Sequence, residues 1–231
     1  MVRREILAVQ QVASARVPLI HESGILRTPT GDFNWIREQR IDGASLRHVI
    51  AGGPLAPEDV VKLALHMLEA LSPAEAANIV HRDIKPDNII RSASGNFFLL
   101  DFGIARHLTL TSMTPTISPI GKCTPGYAPP EQFRNRKSEI DSRADLFALG
   151  VTLYEGATGT NPFIDGAPNQ LEKLRRTETQ QLPALNLAVT RSDEMRDFVH
   201  IITQKRRDQR LRSVAEALQW MQQIAAANNV R

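Results

Sequence analysis

The sequence predicts an α+β fold in which one helix and a few strands precede a mainly helical remainder. Three observations predict it. Apolar residues recur at helical spacing in RREILAVQQVA, through Ile6, Val9 and Ala13. The stretches VPLIHESGIL and FNWIREQRI read as short strands joined by the turn TPTGD. Beyond Asp141 three successive stretches carry helical periodicity: RADLFALGVTLYEG, SDEMRDFVHIITQ and SVAEALQWMQQI.

The middle of the chain follows the same rules. A strong helix is expected from Pro57, with proline at the first position and Glu58 and Asp59 in the first turn, where the helix dipole favours acids. Val60, Val61, Ala64, Leu65, Leu68 and Leu71 give it a broad buried face, and Pro73 is expected to end or kink it. The turn SASGN joins a strand holding Ile89 and Ile90 to NFFLLDF, which sets Asp83 and Asn88 before one strand and Asp101 at the end of the next. TLTSMTPTIS reads as a loop, and Ser213 with Glu216 forms a capping box at the start of the last helix. Trp35 and Trp220 occupy apolar positions and are expected in the core.

Composition narrows the function classes. The 231 residues are 42% hydrophobic and 23% charged with a net charge of +3, the balance of an ordinary globular protein. Basic clusters at Arg134 to Lys137 and Lys205 to Arg207 lack interleaved aromatics, so they read as solvated faces and nucleic acid is not an expected partner. The single Cys123 excludes an internal disulfide and reads as an incidental thiol in a reducing compartment. No run reaches the roughly 18 apolar residues of a membrane span, so no membrane segment and a cytoplasmic location are expected. The six histidines show no paired spacing for zinc.

The stretch that carries chemistry is HRDIKPDNIIRSASGNFFLLDFG, His81 to Gly103. Moving a terminal phosphoryl group requires a metal bridging the phosphates, a group that orients the attacking hydroxyl, and cations that balance developing charge. Asp83, Asn88 and Asp101 offer hard oxygen donors and a short carboxylate for those tasks.

H-R-D-x-x-x-x-N followed by D-F-G resembles the catalytic and metal-binding signature of eukaryotic-type serine/threonine protein kinases, in phrasing similar to bacterial members. GKCTPGYAPPEQF resembles the end of their activation segment, with Pro129 in place of the Ala of A-P-E, and DLFALG resembles their central helix. The match runs from about Arg4 to Ile224. It implies a protein-kinase-like fold with a truncated N-lobe, residues 1–43, and a mainly α-helical C-lobe, residues 44–231. It further implies ATP and Mg²⁺ as cofactors and a protein substrate with a Ser or Thr acceptor.

Carried over by position, the resemblance makes Asp83 the base or orienter of the hydroxyl and Lys85 the stabiliser of the transferring phosphate. Asn88 and Asp101 become the metal ligands, and Thr124 fixes Asp83 and Lys85. Asp145 would hold the catalytic loop through its backbone, Arg210 would pair with Glu131, and His81 and Phe102 would stack, with Val9 as a third member. Arg82 would meet a phosphate on the loop at Thr111 or Thr114. Gly103 completes D-F-G.

The pattern departs from the family at its start. RREILAV resembles the helix whose Glu, here Glu5, pairs with a strand lysine. Only four residues precede Glu5, so the glycine loop and that lysine are expected to be absent and activity impaired. A non-catalytic binding module is the alternative; a small-molecule phosphotransferase is a third reading. Glu38 aligns beside the adenine pocket but reads as an exposed strand residue. A missing upper lobe would leave apolar surface on the first helix and both strands, to be covered by that lobe or by a partner.

Overall fold

The structure, a computed structural model, describes Val12 and residues 14–102 and 123–231. The expected first helix with Glu5 and Val9, the Gly103 of D-F-G, and the loop carrying Thr111 and Thr114 lie outside the described residues.

The two early strands form as expected. β1 (Ile20–Thr28) pairs antiparallel with β2 (Gly31–Glu38), from Thr28↔Gly31 to Ile20↔Glu38. The loop between them is only Pro29 and Thr30, and Gly31 accepts the φ of +138° that follows so tight a reversal. Trp35 lies across Gly24 on the partner strand, where a Cβ would come within 2.9 Å of the indole. The expectation of a core Trp35 is corrected: it is 39% exposed, because this two-stranded sheet has no second layer over that face among the described residues.

A second sheet has the order β3-β4-β5, with β3 at Gly43–Ser45, β4 at Ile89–Ser92 and β5 at Phe97–Leu99. Gly43 is required by close approach, since a Cβ there would lie 2.3 Å from the Arg91 carbonyl. β3 runs directly into α1 (Leu46–Ala51), whose first turn is capped by Ser45 Oγ accepting from the His48 N–H at 3.2 Å.

Helix α2 (Pro57–Ala76) buries the predicted face and more, including Leu63, His66, Met67 and Ala70. Of the expected end or kink at Pro73, an end at that residue is corrected, because Pro73 sits inside the helix, which continues three residues further to Ala76. Proline has no N–H for the carbonyl four residues back, Glu69, and the Ser14 hydroxyl donates to that oxygen at 3.0 Å instead. An external donor thus replaces the missing rung.

The remaining helices are α3 (Pro130–Phe133), α4 (Ser142–Thr158), α5 (Gln170–Thr179), α6 (Ser192–Ile202) and α7 (Val214–Ala227). α4 is buried on every side from Ala144 to Gly156 and packs against α2 and α6, while α7 packs along α2. Gly150 lets α4 approach α6, since a Cβ there would stand 2.4 Å from the Thr203 methyl. The Ser213 cap forms: its hydroxyl accepts from the Glu216 N–H, and Glu216 reaches back to the N–H of Arg212. Trp220 corrects its expectation in part, being half-buried at the core's edge, edge-on to Phe198 with its indole N–H donating to Glu194. Among the described residues no helix is long and apolar enough to cross a membrane.

Candidate active site

The site is built on the loop that leaves α2 and enters β4. Its backbone bends sharply, with Arg82 at φ +68°, a conformation that costs a non-glycine residue and needs external support. Support comes from the first turn of α4. The carboxylate of Asp145, 1% exposed, accepts the backbone N–H groups of His81 and Arg82, each at 2.8 Å. Burial pushes the Asp145 pKa up to about 7, and the two N–H bonds oppose that rise by stabilising the anion.

His81 is fully buried and its hydrogen bonds define its tautomer. Nδ1 accepts from the Asp83 N–H at 3.2 Å, so Nε2 carries the proton and donates to the Leu100 carbonyl at 2.7 Å. Phe102 packs edge-on to the ring at 4.9 Å between centroids. One imidazole therefore ties the loop bearing Asp83 to the segment bearing Asp101.

Around Asp83 the expected residues converge. Thr124 Oγ1 donates to Asp83 Oδ1 at 2.6 Å, and the Lys85 ammonium lies 3.0 Å from Asp83 Oδ2 and 3.1 Å from Thr124 Oγ1. The Asn88 amide, on a single 3-10 turn at Pro86–Asn88, donates to the Asp83 carbonyl at 2.8 Å and to Oδ2 at 3.2 Å. With its N–H₂ group engaged, Asn88 Oδ1 is left as an acceptor for a cation. The Leu100 N–H bonds the Asn88 carbonyl at 2.9 Å, which sets Asp101 one residue beyond that contact.

Asp101 is exposed, at φ +55°, two residues past the end of β5. Glu38 is also exposed, as expected; burial of its surroundings first and the Asp101 carboxylate second raise its pKa. Among the described residues no group of three or more His, Cys, Asp or Glu could hold a metal. Asn88 and Asp101 still suit Mg²⁺, which keeps waters and binds through one or two carboxylates together with substrate phosphates.

Glu131, at the start of α3, forms the expected pair with Arg210. Arg210 Nη1 and Nη2 meet the two carboxylate oxygens at 2.6 and 3.1 Å, both side chains buried. The other three guanidinium N–H groups donate to the carbonyls of Gln204, Arg143 and Lys205, so all five donors are satisfied. Such completeness is what makes a buried ion pair tolerable.

Several site residues were not anticipated. Gln132 donates to the Arg82 carbonyl at 2.7 Å, clamping the loop that bears Asp83 to α3. Arg47 on α1 bonds the buried Glu155 and, at 2.6 Å, the Tyr127 hydroxyl, which itself donates to Glu155. Within its basic cluster Lys205 alone departs clearly from the solvated-face reading, which the exposed Arg206 keeps: its amine lies 4.3 Å from the Phe163 ring centroid and 5.1 Å from that of Phe147, and burial lowers its pKa to about 7. Periodicity cannot reveal such contacts; an Arg on a helix too short to show a pattern carries no signal.

The family model for the protein kinase domain matches residues 1–223. The chain belongs to the protein kinase family. It is 35% identical over 168 residues to serine/threonine-protein kinase PknB of Mycobacterium leprae and 36% identical over 169 residues to its namesake in Mycolicibacterium smegmatis, each match covering 72% of this chain and 26% of the relative. It is also 32% identical over 206 residues to serine/threonine-protein kinase PknL of Mycobacterium tuberculosis, covering 79% of this chain and 50% of that protein. This kinase-family chain thus matches about a quarter of the length of the PknB proteins it resembles.

Proposed function

We propose that the chain transfers the terminal phosphoryl group of ATP to Ser or Thr hydroxyls of proteins, with residues 1–43 acting as the smaller lobe and 44–231 as the larger. The observation that carries this reading is the bonding around Asp83. Thr124 and Asn88 hold the carboxylate in one orientation, and Lys85 balances its charge. An acceptor hydroxyl placed at Asp83 would be oriented for attack and would give up its proton to the carboxylate as the bond to phosphorus forms. Lys85, already within reach of Asp83 and Thr124, is where positive charge is needed as negative charge develops on the transferred group. Asn88 and Asp101 would hold Mg²⁺, which supplies charge neutralisation on the phosphates. The names of the relatives, all serine/threonine-protein kinases, favour Ser and Thr over Tyr as acceptors.

The test is incubation of the 231-residue chain with ATP, Mg²⁺ and a generic protein substrate, followed by mass spectrometry of the digest. Phosphate on Ser and Thr peptides, absent when Asp101→Asn replaces the native chain, is expected. Unmodified peptides under every nucleotide and metal condition would sink the catalytic reading and leave a kinase-like binding module.

A further inference from the structure

A pocket of about 500 Å³ opens between α3, the turn that follows it, the end of α5 and the loop after α6, with Pro130, Glu131, Glu178 and Lys205 among its walls. Arginines rim it, each with a carboxylate beside it. Arg134 meets Glu178, Arg136 Nη1 meets Glu139 at 3.4 Å, and Arg206 Nη2 meets Asp208 at 2.6 Å. Arg207 reaches Asp141 at 3.3 Å, but Arg143 already holds that carboxylate at 2.6 Å. One anion thus serves two guanidinium groups.

The Lys205 amine is buried over the Phe163 and Phe147 rings and has no hydrogen-bond partner among the described residues. Aromatic faces attract a cation but carry no counter-charge. Glu131, the acid on the same wall, is taken by Arg210, and the charge of Arg210 is the second cause, after burial, of the lowered Lys205 pKa of about 7. Among the described residues of these walls and their ion-pair partners, five carboxylates face seven cations, Lys205 included. With Lys205 protonated the surplus equals the charge of one phosphate dianion.

We propose that this pocket binds a phosphate group, free or carried on a protein side chain, with the arginine rim supplying hydrogen bonds and Lys205 supplying charge that no carboxylate of the walls answers. Exposed ion pairs contribute little, so Arg136 and Arg206 can turn from Glu139 and Asp208 to phosphate oxygens at small cost. Their planar forks match those oxygens two at a time. A bound dianion also gives Lys205 the counter-charge it lacks, so the amine takes up a proton as phosphate arrives, and binding is coupled to pH. The pocket includes neither Asp83 nor the groups that hold it, so the proposal stands apart from the phosphoryl-transfer reading.

The experiment uses a fluorescein-labelled peptide with one phosphoserine in a neutral sequence and its unphosphorylated twin. Each is titrated with the full 231-residue chain at about pH 6.5 and about pH 8.5, on either side of the Lys205 pKa, and binding is read by anisotropy. At the lower pH the phosphopeptide is expected to bind about tenfold more tightly than its twin, and Arg136→Gln with Arg206→Gln, both exposed, should remove most of that ratio. Lys205→Met, close to lysine in size and uncharged, should weaken phosphopeptide binding about fivefold at the lower pH and little at the higher, where Lys205 is neutral in the native chain too. The peptide's own titration is common to both proteins and cancels in their ratio. Competition separates the sources: displacement by inorganic phosphate assigns the site to the free anion, and displacement by unlabelled phosphopeptide alone assigns it to a phosphorylated side chain. Equal binding of phosphopeptide and twin, or a ratio that survives the arginine substitutions, would overturn the proposal. A Lys205→Met effect equal at both pH values would overturn the part given to Lys205.

Discussion

His66 shows how one side chain can set the acid limit of this fold. It is fully buried on α2, and its Nδ1 accepts the Phe97 N–H at 3.1 Å, a bond that requires an unprotonated nitrogen. Burial first, and then the charges of Arg16 and Lys62, lower its pKa to about 3. An unfolded histidine titrates near 6.5, so between about pH 6.5 and pH 3 the unfolded chain binds the proton and the folded chain does not. Stability is therefore unaffected by this group above pH 6.5 and falls as the pH drops through that window, by on the order of 2 kcal/mol at pH 5. Denaturant titrations at pH 7 and pH 5 should show the loss in the native chain. His66→Asn, whose side-chain oxygen can accept the same N–H without titrating, should show much less of it; equal losses in the two proteins would refute the assignment.

At the scale of elements, legibility followed locality. The loop bearing Asp83 and Asn88 and the β4–β5 hairpin were readable because their residues are contiguous and their turn chemistry is local. α5 was missed for the opposite reason. Only Leu171 and Leu174 are apolar in its first half, Leu171 is 72% exposed, and the helix is held by the Asn169 cap and by Glu172 paired with Arg175 and Arg176. β3 and α1 are too short to display a period, so Arg47 could not be placed either. Pro73 was misjudged because its compensating donor, Ser14, lies 55 positions from the carbonyl it serves. That contact makes a specific prediction. Ser14→Ala should cost about 1 kcal/mol by leaving the Glu69 carbonyl without a donor. In a Pro73→Ala background the restored N–H supplies the bond, and the cost should shrink towards zero; an undiminished cost in the double variant would exclude this account.

Across the whole molecule, the β1–β2 hairpin stands out as apolar surface with nothing over it among the described residues. Leu26 and Phe33 face each other across the ladder at 56% and 54% exposure, with Trp35 on the same face. The sequence-based expectation of uncovered strands agrees with this placement, and such a patch favours self-association. Sedimentation velocity should show concentration-dependent association that Leu26→Ser with Phe33→Ser reduces, while thermal stability changes by no more than about 0.5 kcal/mol because neither side chain is buried. A monomer at all concentrations would contradict it. By contrast the larger helical body ties its parts through buried groups: Asp145 reaches back to His81 and Arg82, and Arg210 closes on Glu131 across 79 positions of chain. These long-range pairs were foreseeable only through the family resemblance, since no local pattern links their ends.

The central claim is that Asp83, fixed by Thr124, Lys85 and Asn88, does the chemistry, and the most direct measurement is the rate of phosphate transfer by the native chain against Asp83→Asn. The substituted amide keeps the size and one acceptor oxygen but cannot take the proton. A fall of about 10²- to 10⁴-fold in transfer rate, with ATP and Mg²⁺ raising the melting temperature of both proteins, is the predicted result. Equal rates in the two proteins would contradict the account.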